Sequence, residues 1–163
     1  MVIVGLGANL MHDGRKPQET LRLALERLER NGARVERLSR FFCSPAWPDP
    51  SDPPFVNAVA NLSTTLEPTG FLELLHDAER AFGRVRGRPN APRTLDLDLL
   101  DYNGVISAAT PVLPHPRLVS RAFVLLPLKD IAPEWRHPVT HHAVDELIAA
   151  LSAADRDAAR PIS

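Results

Sequence analysis

Two aspartates separated by a single residue are the side chains best placed to do chemistry in this sequence. Asp96 and Asp98 lie in the stretch 92–100, which reads PRTLDLDLL, so leucines alternate with them. A period of two is typical of a half-buried strand, with both carboxylates on one face and the leucines packed inward. Two residues of strand span roughly 6.6 Å, so both carboxylates reach one small region.

The segment before this strand is strongly basic. Residues 83–92 contain Arg84, Arg86 and Arg88 and no acidic residue, and Arg93 follows at once. Arginine suits phosphate recognition, and Mg²⁺ is commonly held by one or two carboxylates together with substrate phosphates. The pattern predicts a polyphosphate held by arginines and by metal on the aspartates. A solvent-exposed hairpin edge with solubilising charges is the alternative that the local pattern leaves open.

Length and composition predict one folded domain over residues 1–163. The chain is 44% hydrophobic and 24% charged, as is typical of a globular protein. Its net charge of −1 gives no global attraction to nucleic acid or membranes, so any anion site must be local. Because Cys43 is the single cysteine, an intramolecular disulfide is impossible and we expect a reducing compartment, the cytoplasm. We expect neither a signal peptide nor a membrane span, since no apolar run approaches about 18 residues.

Hydrophobic periodicity and turn residues predict the strands and helices that position these groups. In chain order they are a strand over 2–4, a helix that begins at Pro17 and is stopped by Asn31 and Gly32, strands over 35–42 and 55–66, a helix over 68–82, and the aspartate strand. The order β-α-β-β-α-β is that of a ferredoxin-like α+β sheet with helices on its faces. Beyond it we predict helices over 121–131 and 141–152, and a polar tail over 153–163 that frays.

Two further segments have both a functional and a structural interpretation. The stretch 5–9, GLGAN, lacks the third glycine of a dinucleotide fingerprint and the Gly-Lys-Ser/Thr of a P-loop, which favours a tight strand end. The proline-rich loop 44–57 carries Trp47, Phe55 and Asn57, which are suited to an aromatic slot for a planar heterocycle. A hydrophobic lid with Asn57 capping a strand remains the alternative for that loop.

A histidine lies in a stiff basic loop near the end of the predicted fold. His115 stands between two prolines, and Arg117 and Arg121 follow it. Such a histidine could contact phosphate or donate a proton. A satisfied surface histidine is the other interpretation.

Taken together, these segments resemble the 6-hydroxymethyl-7,8-dihydropterin pyrophosphokinase family of the folate pathway. The matching pieces occur in the family's order and cover about residues 2–135; they are GLGANL (5–10), PFVNA (54–58), GRVR (83–86), PRTLDLD (92–98), LPHPR (113–117) and RAFV (121–124). The resemblance implies a ferredoxin-like fold and an Mg-dependent enzyme. It also implies transfer of the β,γ-diphosphate of ATP to the pterin hydroxymethyl oxygen, with release of AMP.

The resemblance also implies a role for each matching residue. Asp96 and Asp98 would hold two Mg²⁺ ions, and Arg84 and Arg93 would belong to a mobile loop that closes over the reaction. The expected ATP contacts are Glu79, Arg84, Arg93, His115 and Arg121. The expected pterin slot consists of Ser44, Pro45, Trp47, Phe55, Asn57 and Phe123, with Phe55 and Phe123 on the two faces of the ring.

This sequence departs from the family's pattern in two places. Many members carry a tryptophan in the arginine loop, where this chain has Asn90 in a loop about one residue shorter. Trp47 stands where the family often has a small aliphatic residue or leucine, and Pro48 stands where it usually has glycine. We therefore expect different packing over the pterin, with Trp47 in place of the missing ring.

Two rival functions use the same features. A single-stranded RNA binder would need aromatic rings on the sheet face, where Asp96 and Asp98 instead repel phosphate unless metal is present. A metal-dependent phosphohydrolase would use the same aspartates, but an arginine lid that excludes water favours transfer. The expected partners are therefore the small molecules ATP and the pterin, without nucleic acid or membrane, and the expected state is a monomer.

Overall fold

One antiparallel sheet is the scaffold of the protein, as seen in a computed structural model that describes residues 1–84 and 91–162. Its strands within those ranges are β1 (Val2–Ala8), β2 (Ala33–Leu38), β3 (Phe41–Ser44), β4 (Phe55–Thr64), β5 (Asp96–Tyr102) and β6 (Arg160–Ile162). The order across the sheet is β5-β1-β4-β3-β6, and β2 also pairs with β4. This order, with antiparallel pairs throughout, confirms the predicted ferredoxin-like α+β fold.

Helices cover both faces of the sheet. They are α1 (Pro17–Arg30), α2 (Pro68–Ala81), α3 (Ala122–Ile131), α4 (Val144–Ala150) and α5 (Ala153–Ala158). A proline occupies the first position of both α1 and α2, where its missing N–H costs no hydrogen bond. In α1 the buried Leu21, Leu25 and Leu28 recur at helical spacing and pack, with α2, against one sheet face. The helices α3 and α4 pack against the other face.

The alternation predicted for the aspartate strand is present. Leu95, Leu97 and Leu99 are buried in the core beneath α1 and α2. Asp96 and Asp98 are half-buried and line a cleft on the opposite side. Because β5 pairs with the fully buried β1, the carboxylates are held on the rigid centre of the sheet rather than on a loop.

The strand predicted over 35–42 is divided in two. β2 ends at Leu38 and β3 begins at Phe41. Ser39 bridges the break, because its N–H donates to the Val59 carbonyl at 2.9 Å and its hydroxyl accepts from the Val59 N–H at 3.0 Å. The chain therefore changes direction without losing its attachment to β4.

The C-terminal region also differs from the prediction. The helix expected over 141–152 begins later, at Val144, because the Glu146 carboxylate accepts from the Ala143 N–H at 2.6 Å and fixes the start there. The segment expected to be a polar, frayed tail instead forms α5 and β6. Ser152 caps α5 by accepting from the Asp155 N–H, and β6 pairs with β3 at the edge of the sheet. Pairing with an exposed edge strand gives the tail backbone hydrogen bonds to a distant segment, which the composition of the tail does not reveal.

Candidate functional site

A cleft of about 520 Å³ lies on the α3 side of the sheet, where β1, β4 and β5 meet the loops that join them. Most of the predicted site residues line it: Ser44, Pro45, Trp47, Phe55, Asn57, Arg84, Arg93, Asp96, Asp98, Arg121 and Phe123. Glu79 and His115 stand outside the lining. The predictions for Arg86, Arg88 and Asn90 lie outside the described residues.

The floor of the cleft is a row of residues across three strands. In the sheet register, Gly7 of β1 pairs with Asp96 of β5 on one side and with Asn57 of β4 on the other. A Cβ at position 7 would lie 3.3 Å from Asn57 Oδ1, so glycine keeps the floor open between the carboxylate and the amide. The sequence alone favours a structural strand end at this glycine and does not reveal its place in the cleft.

Each carboxylate in the cleft is paired with arginine. The Asp96 carboxylate accepts from Arg84 Nη1 at 2.5 Å and from Arg93 Nη1 at 2.9 Å. The Asp98 carboxylate accepts from Arg121 Nη1 at 3.0 Å. Side-chain exposure is 25% for Asp96 and 34% for Asp98. Opposite charges at these distances offset the repulsion that two neighbouring carboxylates would otherwise suffer.

Glu79 lies behind the cleft and holds Arg84. The residue is 3% exposed, and its Oε1 accepts from the Leu97 N–H at 2.8 Å and from Arg84 Nη1. Burial raises the pKa of Glu79, although the Leu97 hydrogen bond and the Arg84 charge oppose the rise. For Arg84 burial acts to lower the pKa, but the Asp96 and Glu79 carboxylates raise it overall. The geometry makes Glu79 a positioning group for Arg84; its expected contact with ATP stays a prediction.

Asn9 joins three segments that surround the cleft. Its Oδ1 accepts from the Arg93 N–H at 2.8 Å, and its own N–H donates to the Arg93 carbonyl at 3.1 Å. Its Nδ2 donates to the Pro53 carbonyl at 2.9 Å. Asn9 is 5% exposed, so these bonds fix the backbone on which the Arg93 side chain stands. No local sequence signal identifies such a residue, because both partners are more than forty positions away.

The aromatic residues lie beside the charged ones. Phe55 and Phe123 are both half-buried and line the cleft. The Cζ of Arg93 lies 5.9 Å from the Phe55 ring centroid, and that of Arg121 lies 5.5 Å from the Phe123 centroid. Both guanidinium groups are therefore at cation–π distance while they bind aspartate. The predicted slot thus adjoins the predicted phosphate site.

A buried polar pair and an exposed ring complete this part of the cleft. Asn57 Nδ2 donates to the Ser44 hydroxyl at 2.9 Å, and both residues are buried. Trp47 lies on the 45–54 loop with 71% of its surface exposed. Pro45 also lines the cleft. A fixed amide at the floor and a free ring at the mouth are suited to a flat ligand with hydrogen-bonding edges.

His115 stands at the border of the cleft and is half-buried. Its Nδ1 accepts from the Arg117 N–H at 3.1 Å, so in the neutral ring the proton is on Nε2. Burial lowers the pKa of His115, and the charges of Arg121 and Arg117 lower it further, against the effect of Asp98. At neutral pH this histidine is an uncharged N–H donor.

The side chains that could bind a metal ion in the cleft are few. In residues 1–84 and 91–162 no group of three or more His, Cys, Asp or Glu side chains is arranged to hold a metal ion. Asp96 and Asp98 provide two carboxylates, which suits an ion that completes its coordination with substrate oxygens and water. No helix in the described part of the chain is long and apolar enough to cross a membrane.

The fold and the site together are those of an α+β protein whose cleft places arginine-paired carboxylates beside two aromatic rings. The 7,8-dihydro-6-hydroxymethylpterin-pyrophosphokinase family model matches residues 3–133. The chain belongs to this family, and pyrophosphokinase activity in folate biosynthesis follows from the membership.

Individual relatives agree with the family match. The chain is 39% identical over 151 residues to the 2-amino-4-hydroxy-6-hydroxymethyldihydropteridine pyrophosphokinase of Pseudomonas aeruginosa. The alignment covers 91% of this chain and 90% of that protein. It is 39% identical over 118 residues to the protein of the same name from Synechocystis. That alignment covers 72% of this chain and 60% of the Synechocystis protein, so the chain spans less than two thirds of that relative's length. A crystal structure of Plasmodium falciparum HPPK-DHPS superposes with a TM-score of 0.69 at 14% identity, covering 90% of this chain and 40% of that one; it supports the fold.

Proposed function

We propose that the cleft binds ATP beside 6-hydroxymethyl-7,8-dihydropterin and transfers the β,γ-diphosphate to the pterin. The hydroxymethyl oxygen bonds to the β-phosphorus, the bond from that phosphorus to the α,β-bridging oxygen breaks, and the hydroxyl proton is released as AMP departs. The observation that carries the proposal is the adjacency, in one cleft, of arginine-paired Asp96 and Asp98 and the two rings of Phe55 and Phe123. Phosphoryl transfer requires such positioning of both reactants.

We further propose that Asp96 and Asp98 hold two Mg²⁺ ions. Two observations support the fit: both carboxylates line the cleft from one strand, and both side chains remain partly exposed. Magnesium bound there supplies positive charge that neutralises the phosphate chain. With only two carboxylates from the described residues, the remaining ligands would be phosphate oxygens and water.

The arginines are proposed to exchange partners when the polyphosphate binds. Arg84 and Arg93 bind Asp96 in the substrate-free protein, and Arg121 binds Asp98. Phosphate oxygens offer the same acceptor geometry, so each guanidinium can turn to them without leaving the cleft. In that arrangement Arg84 and Arg93 stabilise charge developing on the bridging oxygen. The Nε2–H of neutral His115 donates to a phosphate oxygen.

The pterin slot is proposed to lie between the two phenylalanine rings. Stacking on Phe55 and Phe123 would hold the flat ring, while Asn57 and Ser44 meet its polar edge. Pro45 and the exposed Trp47 would cover it from the loop side. The slot ends where Arg93 and Arg121 begin, which directs the hydroxymethyl group toward the phosphates.

We also propose a cytoplasmic monomer. The single Cys43 is a free thiol, which a reducing compartment preserves. Light scattering of the purified protein tests the monomer directly.

Product analysis with purified protein tests the proposed reaction. We expect one AMP for each pterin diphosphate, no AMP when the pterin is omitted, and no reaction after chelation of Mg²⁺. Release of phosphate or AMP at an unchanged rate without pterin would make the protein a hydrolase. Tight retention of single-stranded RNA on filters without Mg²⁺ would favour the RNA-binding alternative.

A further inference from the structure

Arg117 differs from the other arginines that line the cleft. The guanidinium groups of Arg84, Arg93 and Arg121 each bind a carboxylate. The guanidinium of Arg117 has no hydrogen bond or ion pair to any residue in 1–84 or 91–162, and the residue is exposed. Its backbone, by contrast, is bound on both sides. Its N–H donates to His115 Nδ1, and its carbonyl accepts from the Ser120 hydroxyl at 3.2 Å.

The charge of the cleft is therefore uneven. The three paired arginines face three carboxylates, those of Glu79, Asp96 and Asp98, so their charges are offset. His115 is neutral at pH 7 for the reasons given above. Among the described residues, the uncompensated positive charge of the cleft belongs to Arg117. An uncompensated charge in a concave, partly desolvated site is the one that attracts an anion from solution.

The local backbone holds this charge at the cleft. Arg117 and Arg121 lie on either side of the short 3₁₀ turn Leu118–Ser120, and both line the cleft. Leu118 is fully buried and its N–H donates to the His115 carbonyl at 3.0 Å, so the turn is anchored in the core. The backbone of Arg117 is thus fixed while its side chain is free to reach a ligand.

We infer that Arg117 is a phosphate-binding residue that makes the first contact with the polyphosphate of ATP, before the paired arginines leave their carboxylates. The inference rests on the proposed function of the cleft. A free guanidinium binds phosphate with a two-pronged hydrogen-bonding geometry and breaks no existing ion pair to do so. The charges of Arg84, Arg93 and Arg121 are already offset by carboxylates. Arg117 should consequently act on the association of ATP rather than on the chemical step.

Substitution of Arg117 tests the inference, with Arg27→Gln as the matched control. Arg27 is an exposed arginine on α1, which packs on the opposite face of the sheet. Calorimetry with a non-hydrolysable ATP analogue and Mg²⁺ should show about tenfold weaker binding for Arg117→Gln, as expected for one lost charge-assisted contact. Stopped-flow association should be slower and depend less on NaCl concentration. Arg27→Gln should match the wild type in both measurements.

Two further readouts separate this role from a structural one. Pterin affinity should be unchanged in Arg117→Gln. Arg117→Lys should restore the association rate of the ATP analogue but only part of its affinity, since lysine keeps the positive charge but not the paired N–H donors of the guanidinium. ATP-analogue affinity and association within twofold of wild type in Arg117→Gln would overturn the inference. An equal loss of pterin binding would overturn it too. A wild-type protein that binds no ATP analogue would instead refute the proposed function.

Discussion

Replacing Asp96 by asparagine should destabilise the substrate-free protein as well as abolish catalysis. Asp96 accepts from both Arg84 and Arg93, whose side chains are 21% and 19% exposed. The variant leaves Arg93 without a carboxylate and Arg84 with Glu79 alone. Pairs at this depth lie between exposed bridges, worth about 0–1 kcal/mol, and buried ones, whose disruption costs about 3–5 kcal/mol. We therefore expect a loss of about 2 kcal/mol, or a fall in Tm of roughly 4–8 °C for a chain of this length.

Asp98→Asn is the matched comparison, because Asp98 is a neighbouring carboxylate that is more exposed than Asp96 and forms a single ion pair within residues 1–84 and 91–162. Asp98 binds Arg121 alone among the described residues, and we expect its loss to cost about 1 kcal/mol or less. Urea unfolding in EDTA, without nucleotide, measures both values. Turnover in Mg²⁺ should be lost in both variants if these carboxylates hold the metal.

The outcome that would refute this reasoning is an Asp96→Asn protein as stable as the wild type, or more stable. That result would mean that repulsion between the two aspartates exceeds their attraction to the arginines. Near-normal turnover of either variant would separately refute the metal assignment. The stability and the activity of the same two proteins thus test different parts of the site.

The remaining predictions concern the slot, the arginines and the floor of the cleft. Phe55→Ala and Phe123→Ala should each weaken pterin binding by about 1–3 kcal/mol, by analogy with base stacking, and ATP binding far less; equal losses in calorimetry would make the rings core residues. Arg84→Ala and Arg93→Ala should lower kcat and kcat/KM together by about 10²–10³ with ATP affinity nearly unchanged, because their strongest contacts form in the transition state. Single-turnover quench-flow showing normal chemistry and poor ATP affinity would contradict this. Gly7→Ala should weaken pterin binding about tenfold by crowding the floor of the cleft, and an unchanged pterin affinity would place the ring elsewhere.

Local periodicity was sufficient to predict the elements that carry the site. The leucines around Asp96 and Asp98 alternate because the strand has one buried face, and the structure confirms that division. The leucines of α1 recur at helical spacing for the same physical reason. Each signal is contained in fewer than fifteen residues, so it needs no knowledge of what lies across the sheet.

Interactions between distant segments account for the features that local sequence patterns do not reveal. The break between β2 and β3 depends on Ser39 binding Val59, twenty positions away. The C-terminal strand depends on Phe41 and its neighbours, which come much earlier in the chain. In both cases the local composition favours a different outcome, and pairing to an available backbone edge decides the structure.

The same distinction, between local sequence patterns and contacts between distant segments, applies within the cleft. Asp96 and Phe55 are recognisable from their own surroundings in the sequence, and Phe123 from the family resemblance. The floor between Asp96 and the aromatic side of the cleft is kept open by Gly7, which matters only because β1 lies between β4 and β5. Likewise Asn9 fixes Arg93 through partners in two other loops. Sequence motifs therefore indicate which chemical groups are present, whereas the register of the central strand determines how far the aspartates lie from the aromatic side of the cleft. Substitutions at Gly7 and Asn9 should consequently alter the alignment of the two substrates while leaving every charged or aromatic group in place.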